Sequence, residues 1–96
     1  MARRFVPVLL AARMDYRVRE LQLALATGDF VKAQKETHAL RLQWVQFAHI
    51  ARERSEILHD EIHRHVEAVT EAPAAKPDDL SHHLLHLDTL LKELAA

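Results

Sequence analysis

Hydrophobic residues recur at steps of three and four along most of this chain, which is the spacing of one face of an α-helix. The first run predicts a helix over residues 8–26, ended by Thr27-Gly28 because glycine readily adopts the left-handed conformation that closes helices. Asp29 follows as the N-cap of a second helix, and a link this short folds that helix back antiparallel to the first. The apolar stripe of the first helix consists of Leu10, Met14, Val18, Leu21 and Leu25.

The second predicted helix is long, because no glycine or proline interrupts the chain over residues 30–70. Its apolar stripe begins with a heptad spacing, through Phe30, Ala33, Thr37, Leu40, Trp44, Phe47 and Ala51. A four-residue step then restores the stripe, through Ser55, Leu58, Ile62, Val66 and Val69. We predict one continuous helix, about 60 Å long at 1.5 Å per residue. The alternative is a turn near residues 47–54, which such a step can also mark and which would produce an up-down four-helix bundle.

The segment EAPAAKPDD, residues 71–79, predicts a linker, because Pro73 and Pro77 interrupt helical structure. A third helix follows over residues 80–94, with a stripe formed by Leu80, Leu84, Leu87, Leu91 and Leu94. The chain has one glycine and three prolines, which leaves little material for β-turns, and its β-branched residues are sparse. The predicted fold class is all-α: a single domain over residues 1–96, built as an antiparallel helical hairpin with a long second helix plus a third C-terminal helix.

Charge and cysteine content exclude several classes of function. The formal net charge is −1, whereas general nucleic-acid binders usually present a strongly basic face. The chain has no cysteine, which excludes disulfides and thiol chemistry and fits a reducing, cytoplasmic location. No segment reaches the roughly 18 apolar residues of a membrane span. The apolar run after Arg3 and Arg4 is short and has no clear cleavage site, so we predict no targeting signal.

A further stripe, partly apolar and spaced mostly by three and four residues, follows another face of the second predicted helix. It consists of Val31, His38, Leu42, Val45, His49, Glu56, His59 and His63. A helix with apolar residues on two sides usually contacts two partners, of which the rest of the chain is one. We therefore predict a protein–protein interaction or assembly module that self-associates or docks onto a partner. Its predicted contact residues are Val31, His38, Leu42, Val45 and His49; the alternative is that the aliphatic members are ordinary surface residues.

The stretch ELQLALATGDFVKAQKETHALR supports a second hypothesis, because His38 follows Asp29 by nine residues and is itself followed by Ala-Leu-Arg. This stretch resembles the histidine phosphotransfer domain, a four-helix bundle of two-component signalling with a His-x-Leu-Lys-Gly motif. The resemblance covers roughly residues 15–60. It implies His38 as phosphoryl acceptor, Arg41 in support, and a response-regulator receiver domain as partner. Arg41 replaces the family's lysine and Leu42 its glycine, so the chain is either an active domain or a degenerate relative that docks without transfer.

Histidine content supports a third hypothesis. The chain has eight histidines, and SEILHDEIHRH places Glu56, His59 and His63 at i, i+3 and i+7 of one helix. Imidazole nitrogens and carboxylate oxygens are ligands for zinc or iron, so these three residues are a candidate metal site. The alternative is a set of solvated histidines without a cofactor. No serine stands in a recognisable nucleophile motif and no glycine-rich phosphate loop occurs, so we predict that the protein is not an enzyme.

Overall fold

The computed structural model describes the backbone of residues 2–71 and 77–96 and the side chains of residues 7–71 and 78–96. The helices of this part of the chain are α1 (Ala2–Thr27), α2 (Phe30–Arg54), α3 (Glu56–Glu71) and α4 (Pro77–Ala95). Helix α1 packs on α2 and α4, and α3 packs on the same two helices. The result is a helical bundle of 41 × 20 × 19 Å. The all-α class predicted from the sequence is confirmed.

The turn between α1 and α2 forms as predicted. Gly28 has a φ of +73°, in the left-handed region that favours glycine. The N–H of Asp29 donates to the carbonyl of Ala24 at 2.9 Å, as in a Schellman motif. The carboxylate of Asp29 accepts a hydrogen bond from the N–H of Lys32 at 3.0 Å, which caps α2. One glycine and one aspartate therefore account for both helix ends.

The prediction of a continuous helix over residues 30–70 is wrong, because α2 and α3 are separate helices joined by Ser55 alone. Ser55 is extended, with φ −162° and ψ 115°. Its N–H donates to the carbonyl of Ala51 at 2.9 Å, and its Oγ accepts a hydrogen bond from the N–H of Leu58 at 3.2 Å. The side chain of Ser55 thus caps the N-terminus of α3. A serine hydroxyl can do so because it accepts a hydrogen bond from a backbone N–H that has no partner within the helix. The break lies just past the 47–54 window considered for a turn.

The outer helices are longer than predicted. Helix α1 begins at Ala2 rather than near residue 8, and α4 begins at Pro77 rather than at residue 80. Proline suits the start of α4, because the first N–H groups of a helix have no intrahelical partner. The linker predicted over residues 71–79 is accordingly shorter, and its middle lies outside the described residues.

The core is formed by the apolar stripes that the sequence shows. The largest fully buried side chains are Trp44, Met14, Leu21, Leu40, Ile62, Leu84, Leu87, Leu91, Leu94, Val18, Val66 and Val69. They come from all four helices, so burial of their apolar area is the main stabilising contribution. Phe30 is an exception to the predicted stripe, because it begins α2 and is half exposed.

Two carboxylates lie close together between α1 and α4. The Oδ2 of Asp15 forms an ion pair with the Nε of Arg19 at 3.1 Å. The Oδ2 of Asp88 forms one with the Nζ of Lys92 at 3.0 Å. The Oδ1 of Asp15 is buried without a hydrogen-bond partner among the described residues. Burial, and then the adjoining carboxyl of Asp88, raise the pKa of Asp15 above its usual 3.8.

We expect Asp15→Asn to stabilise the protein at neutral pH. The pKa of Asp15 is higher in the folded state than in the unfolded chain, so folding favours the protonated carboxyl group. The full stability is therefore present below pH 3.8, and part of it is lost as the pH rises through the folded-state pKa. At pH 7 the substitution removes that cost and also the weak ion pair with Arg19, so we expect a net gain in stability. Urea unfolding at pH 7 and pH 3 measures this, with a gain expected only at pH 7. The exposed Asp79→Asn is the control; an equal gain at both pH values would contradict the prediction.

Candidate functional site

The predicted contact residues of α2 lie together on its solvent side, and we call them the α2 face: Val31, His38, Leu42, Val45 and His49. At 3.6 residues per turn their side chains project within a sector of about 60°. All five are exposed, and the three aliphatic ones are 68%, 51% and 65% exposed in chain order. The buried residues of α2 occupy the opposite side of the helix: Ala33, Leu40, Trp44 and Ala51. Helix α2 therefore presents one apolar side to the core and a second one to solvent.

The eight-residue stripe predicted for a continuous helix is divided by the turn at Ser55. Glu56, His59 and His63 belong to α3 and do not continue the α2 face. This corrects the prediction of a single stripe, which assumed that the helix was unbroken.

His38 is exposed near the middle of the α2 face, and Arg41 and Leu42 follow it by three and four residues. Side chains at these spacings are neighbours on a helix. An exposed imidazole is accessible to another protein, and a guanidinium one turn away can offset the charge of a phosphoryl group. Leu42 stands where the phosphotransfer motif has glycine. The structure thus places an aliphatic side chain next to an accessible histidine and arginine.

His59 and His63, two of the three predicted metal ligands, contact other protein groups. His59 is buried, 6% exposed, and its Nδ1 lies 2.8 Å from the Oδ1 of Asp60. His63 is exposed, and its Nδ1 accepts a hydrogen bond from the Nε1–H of Trp44 at 3.1 Å. The two imidazole rings stack with centroids 6.0 Å apart. His59 and His63 thus pack around Trp44, whereas Glu56 is exposed to solvent.

A second histidine cluster, which we call the α3–α4 histidine cluster, consists of His65, His82, His83 and His86. The Nδ1 atoms of His65 and His83 are 3.0 Å apart across the two helices. The rings of His65 and His86 stack with centroids 5.0 Å apart, and those of His82 and His86 meet edge to face at 4.8 Å. Spacings of three and four residues along α4 could have indicated part of this cluster. Only the packing of α3 on α4 adds His65.

Burial lowers the pKa of His65 below its usual 6.5, and the neighbouring His83 and His86 lower it further. Arg64 acts in the same direction, whereas Glu61 opposes it. The imidazole is therefore neutral at neutral pH. Across residues 2–71 and 77–96, no three side chains of His, Asp or Glu are arranged as a ready metal site.

Charge is unevenly distributed between the two halves of the chain. Residues 1–54 carry ten basic and five acidic side chains, a net charge of +5. Residues 55–96 carry three basic and nine acidic side chains, a net charge of −6. Helices α1 and α2 pack together, as do α3 and α4. Among the described side chains, those of residues 7–54 include eight basic and five acidic groups, and those of residues 55–71 and 78–96 include two basic and nine acidic groups, so one side of the bundle is basic and the other acidic. A net charge of −1 conceals this separation.

An open cavity of about 450 Å³ lies on the basic side, between α1 and α2. Its lining residues are Leu9, Ala12, Arg13, Tyr16, Arg17 and Gln43. The Oε1 of Gln43 is buried without a hydrogen-bond partner among the described residues. Gln43 lies on the α1 side of α2, so the cavity is separate from the α2 face. Nothing in the sequence pattern had singled it out.

Among the helices of the described residues, none combines the length and apolar character that crossing a bilayer requires. Comparison of this chain with protein-family models, with curated proteins and with solved structures finds no match.

Proposed function

We propose that this protein is a small helical docking module that binds other proteins through the α2 face. The observation that carries the proposal is the joint exposure of Val31, Leu42 and Val45, each more than half exposed, on one side of α2. Single exposed aliphatic residues are normal. Here Leu42 and Val45 are neighbours one turn apart, and Val31 lies on the same side of α2, so exposed aliphatic side chains recur along a side of the helix that the core does not use. Two exposed histidines lie within the same set.

The partner that the chain itself provides is a second copy. The α2 face belongs to the half of the chain with net charge +5, and the other half has net charge −6. The acidic half also exposes large aliphatic side chains, namely Ile57 on α3 and Leu85 on α4. Opposite charges on the two halves favour their association and set its orientation. A reciprocal contact of this kind gives a two-fold dimer, and a head-to-tail contact gives a ring or a longer assembly.

The expected result is association that rises with protein concentration and weakens with salt, since exposed charges are screened. Sedimentation velocity over a range of concentrations, at low and high ionic strength, measures it. Leu42→Glu combined with Val45→Glu places charge on the α2 face without a poor helix former and is expected to give a monomer. Leu23→Glu, at an exposed aliphatic position of α1, is the matched control. A wild-type monomer at every concentration would overturn the proposal of self-association.

A second candidate function is histidine phosphotransfer through His38. It is favoured by the turn at Ser55, which converts the expected long hairpin into a four-helix bundle, and by the exposure of His38 and Arg41. In this reaction an imidazole nitrogen attacks the phosphorus of an aspartyl phosphate on a receiver domain. A P–N bond forms, the P–O bond breaks, the aspartate leaves as a carboxylate, and the ring N–H proton goes to solvent.

Incubation with phosphorylated receiver domains, followed by measurement of acid-labile phosphate, tests this second candidate. Wild type is expected to become labelled and His38→Gln to remain unlabelled. His49→Gln, which changes another exposed histidine of the α2 face, is the matched control and should be labelled like wild type. No label on wild type with a panel of donors would exclude transfer, while self-association would be unaffected.

A further inference from the structure

The α3–α4 histidine cluster brings together four imidazoles that neither the docking surface nor the phosphotransfer candidate uses. His65 and His83 are half-buried between the helices, and His82 and His86 are exposed at the edge. The cluster therefore has an inner pair and an outer pair, and solvent reaches the latter directly. A small ion could enter from the outer side.

The geometry points to a binding site for a divalent transition-metal ion, with Zn²⁺ as the best fit, held by the Nδ1 atoms of His65 and His83 and completed by His86. Zinc–nitrogen bonds are about 2.0–2.1 Å long, so two ligand nitrogens on one ion lie about 2.9 to 3.4 Å apart at ordinary bond angles. The two Nδ1 atoms are separated by 3.0 Å. They hold this distance as a hydrogen bond, in which one ring donates its Nδ1–H and the other, protonated on Nε2, accepts. An ion would replace this bond after the donor ring moves its proton to Nε2.

The third ligand is His86, whose ring lies parallel to that of His65 with 4° between their planes. Because the side chain of His86 is exposed, a rotation can turn one of its nitrogens toward the inner pair. His82, four residues earlier on α4, can supply a fourth ligand from the same helix face. Water can occupy any position that remains open. Imidazole ligands suit zinc, nickel and copper better than magnesium or calcium.

The charge of the surrounding half of the chain, −6, also favours a cation at this place. Close to His65, Glu61 contributes a negative charge and Arg64 a positive one. The Nδ1 atoms of His63 and His59 contact Trp44 and Asp60, whereas those of His65 and His83 contact each other. The structure therefore moves the metal hypothesis from Glu56, His59 and His63 to the other cluster.

An ion bound here would link α3 to α4, because His65 and the other ligands belong to different helices. A ligand that binds only the folded chain stabilises it, and the site does not exist when the helices separate. Zn²⁺ is therefore expected to raise the midpoint of thermal unfolding, and a chelator is expected to reverse the rise.

The test is calorimetric titration of the untagged protein with zinc chloride at pH 7.5, together with thermal unfolding. Wild type is expected to bind one equivalent, and His65→Gln and His83→Gln are each expected to weaken binding at least tenfold. His63→Gln, which changes a histidine of the same helix outside the cluster, is the control and should bind like wild type. Circular dichroism confirms that each variant is folded.

Two results would overturn this proposal. One is the absence of zinc binding by folded wild type. The other is binding that survives His65→Gln unchanged, because a single-helix pair such as His82 and His86 would then suffice without α3. Neither result bears on self-association through the α2 face, which is measured without added metal.

Discussion

Replacing Trp44 by alanine is expected to lower the free energy of unfolding by about 3–5 kcal/mol. Trp44 is 1% exposed, so the substitution removes buried apolar area and leaves a cavity. It also removes the Nε1–H donor to His63 and the ring against which His59 packs, with centroids 5.3 Å apart. Since small domains are stable by only about 5–15 kcal/mol, the variant should be marginal or unfolded. Urea unfolding followed by far-ultraviolet circular dichroism measures the loss.

Trp44→Phe is the matched control, because it keeps a six-membered aromatic ring and removes the five-membered part of the indole with its N–H. A loss of about 1–2 kcal/mol is expected, from the missing hydrogen bond and a smaller cavity. His63→Gln should cost less than either change, because His63 is exposed and water can replace the bond. A cost below 1 kcal/mol for Trp44→Ala would contradict the burial of Trp44 and would mean that α2 turns a different side to the core.

Leu87→Ala is expected to cost about 2–5 kcal/mol, because Leu87 is fully buried in the core of α4. In a domain of this size each kcal/mol shifts the thermal midpoint by roughly 4–8 °C, so the midpoint should fall by at least about 8 °C. Leu85→Ala is an unusually close control, because it deletes the same atoms from the same helix at a position that is 61% exposed. Its expected effect is within about 0.5 kcal/mol.

The pair of leucine variants tests the rotation of α4 directly. Equal losses at both positions would contradict the described packing, and a larger loss for Leu85→Ala would reverse it. The same comparison bears on function, because Leu85 is one of the exposed aliphatic residues proposed to contact the α2 face of a second copy. Leu85→Ala should therefore weaken self-association while leaving the fold intact.

The two functional candidates share the α2 face and differ in what they require of it. Phosphotransfer requires the imidazole of His38, whereas docking requires the aliphatic side chains of Leu42 and Val45. His38→Gln should abolish labelling and leave self-association largely unchanged. Leu42→Glu with Val45→Glu should abolish self-association. Leu42 is therefore one of the residues at which the sequence departs from the phosphotransfer motif, and it is also an exposed aliphatic residue of the proposed docking surface.

Local sequence signals were sufficient to predict where α1 ends and where α2 begins. Only glycine adopts the backbone conformation of Gly28 at low cost, and Asp29 has the side chain that caps a helix. The stripes of the outer helices were also correct, since Leu10, Met14, Leu84 and their counterparts are buried. These features depend on neighbours three or four residues away, which a sequence displays directly.

The break at Ser55 was ambiguous, because a serine and a four-residue step are compatible with both a bent helix and a turn. The turn is favoured by tertiary contacts, since it lets α3 fold back on α2 and buries Ile62, Val66 and Val69. Arg54 strengthens the arrangement by donating from its Nε to the carbonyl of Leu94 at 2.8 Å, at the end of α4. Because Arg54 and Leu94 are far apart in the sequence, no local sequence pattern indicates this contact.

By itself the sequence determined that the protein is all-helical, where the glycine turn lies, and which side chains of each helix are apolar. The tertiary structure alone decided that His59 and His63 pack around Trp44, while His65 meets His83 and His86 across two helices. It also decided that the α2 face remains exposed after the core has formed. The physical reason is that helical periodicity is a local property, whereas the burial and the partners of a side chain depend on which helices pack together.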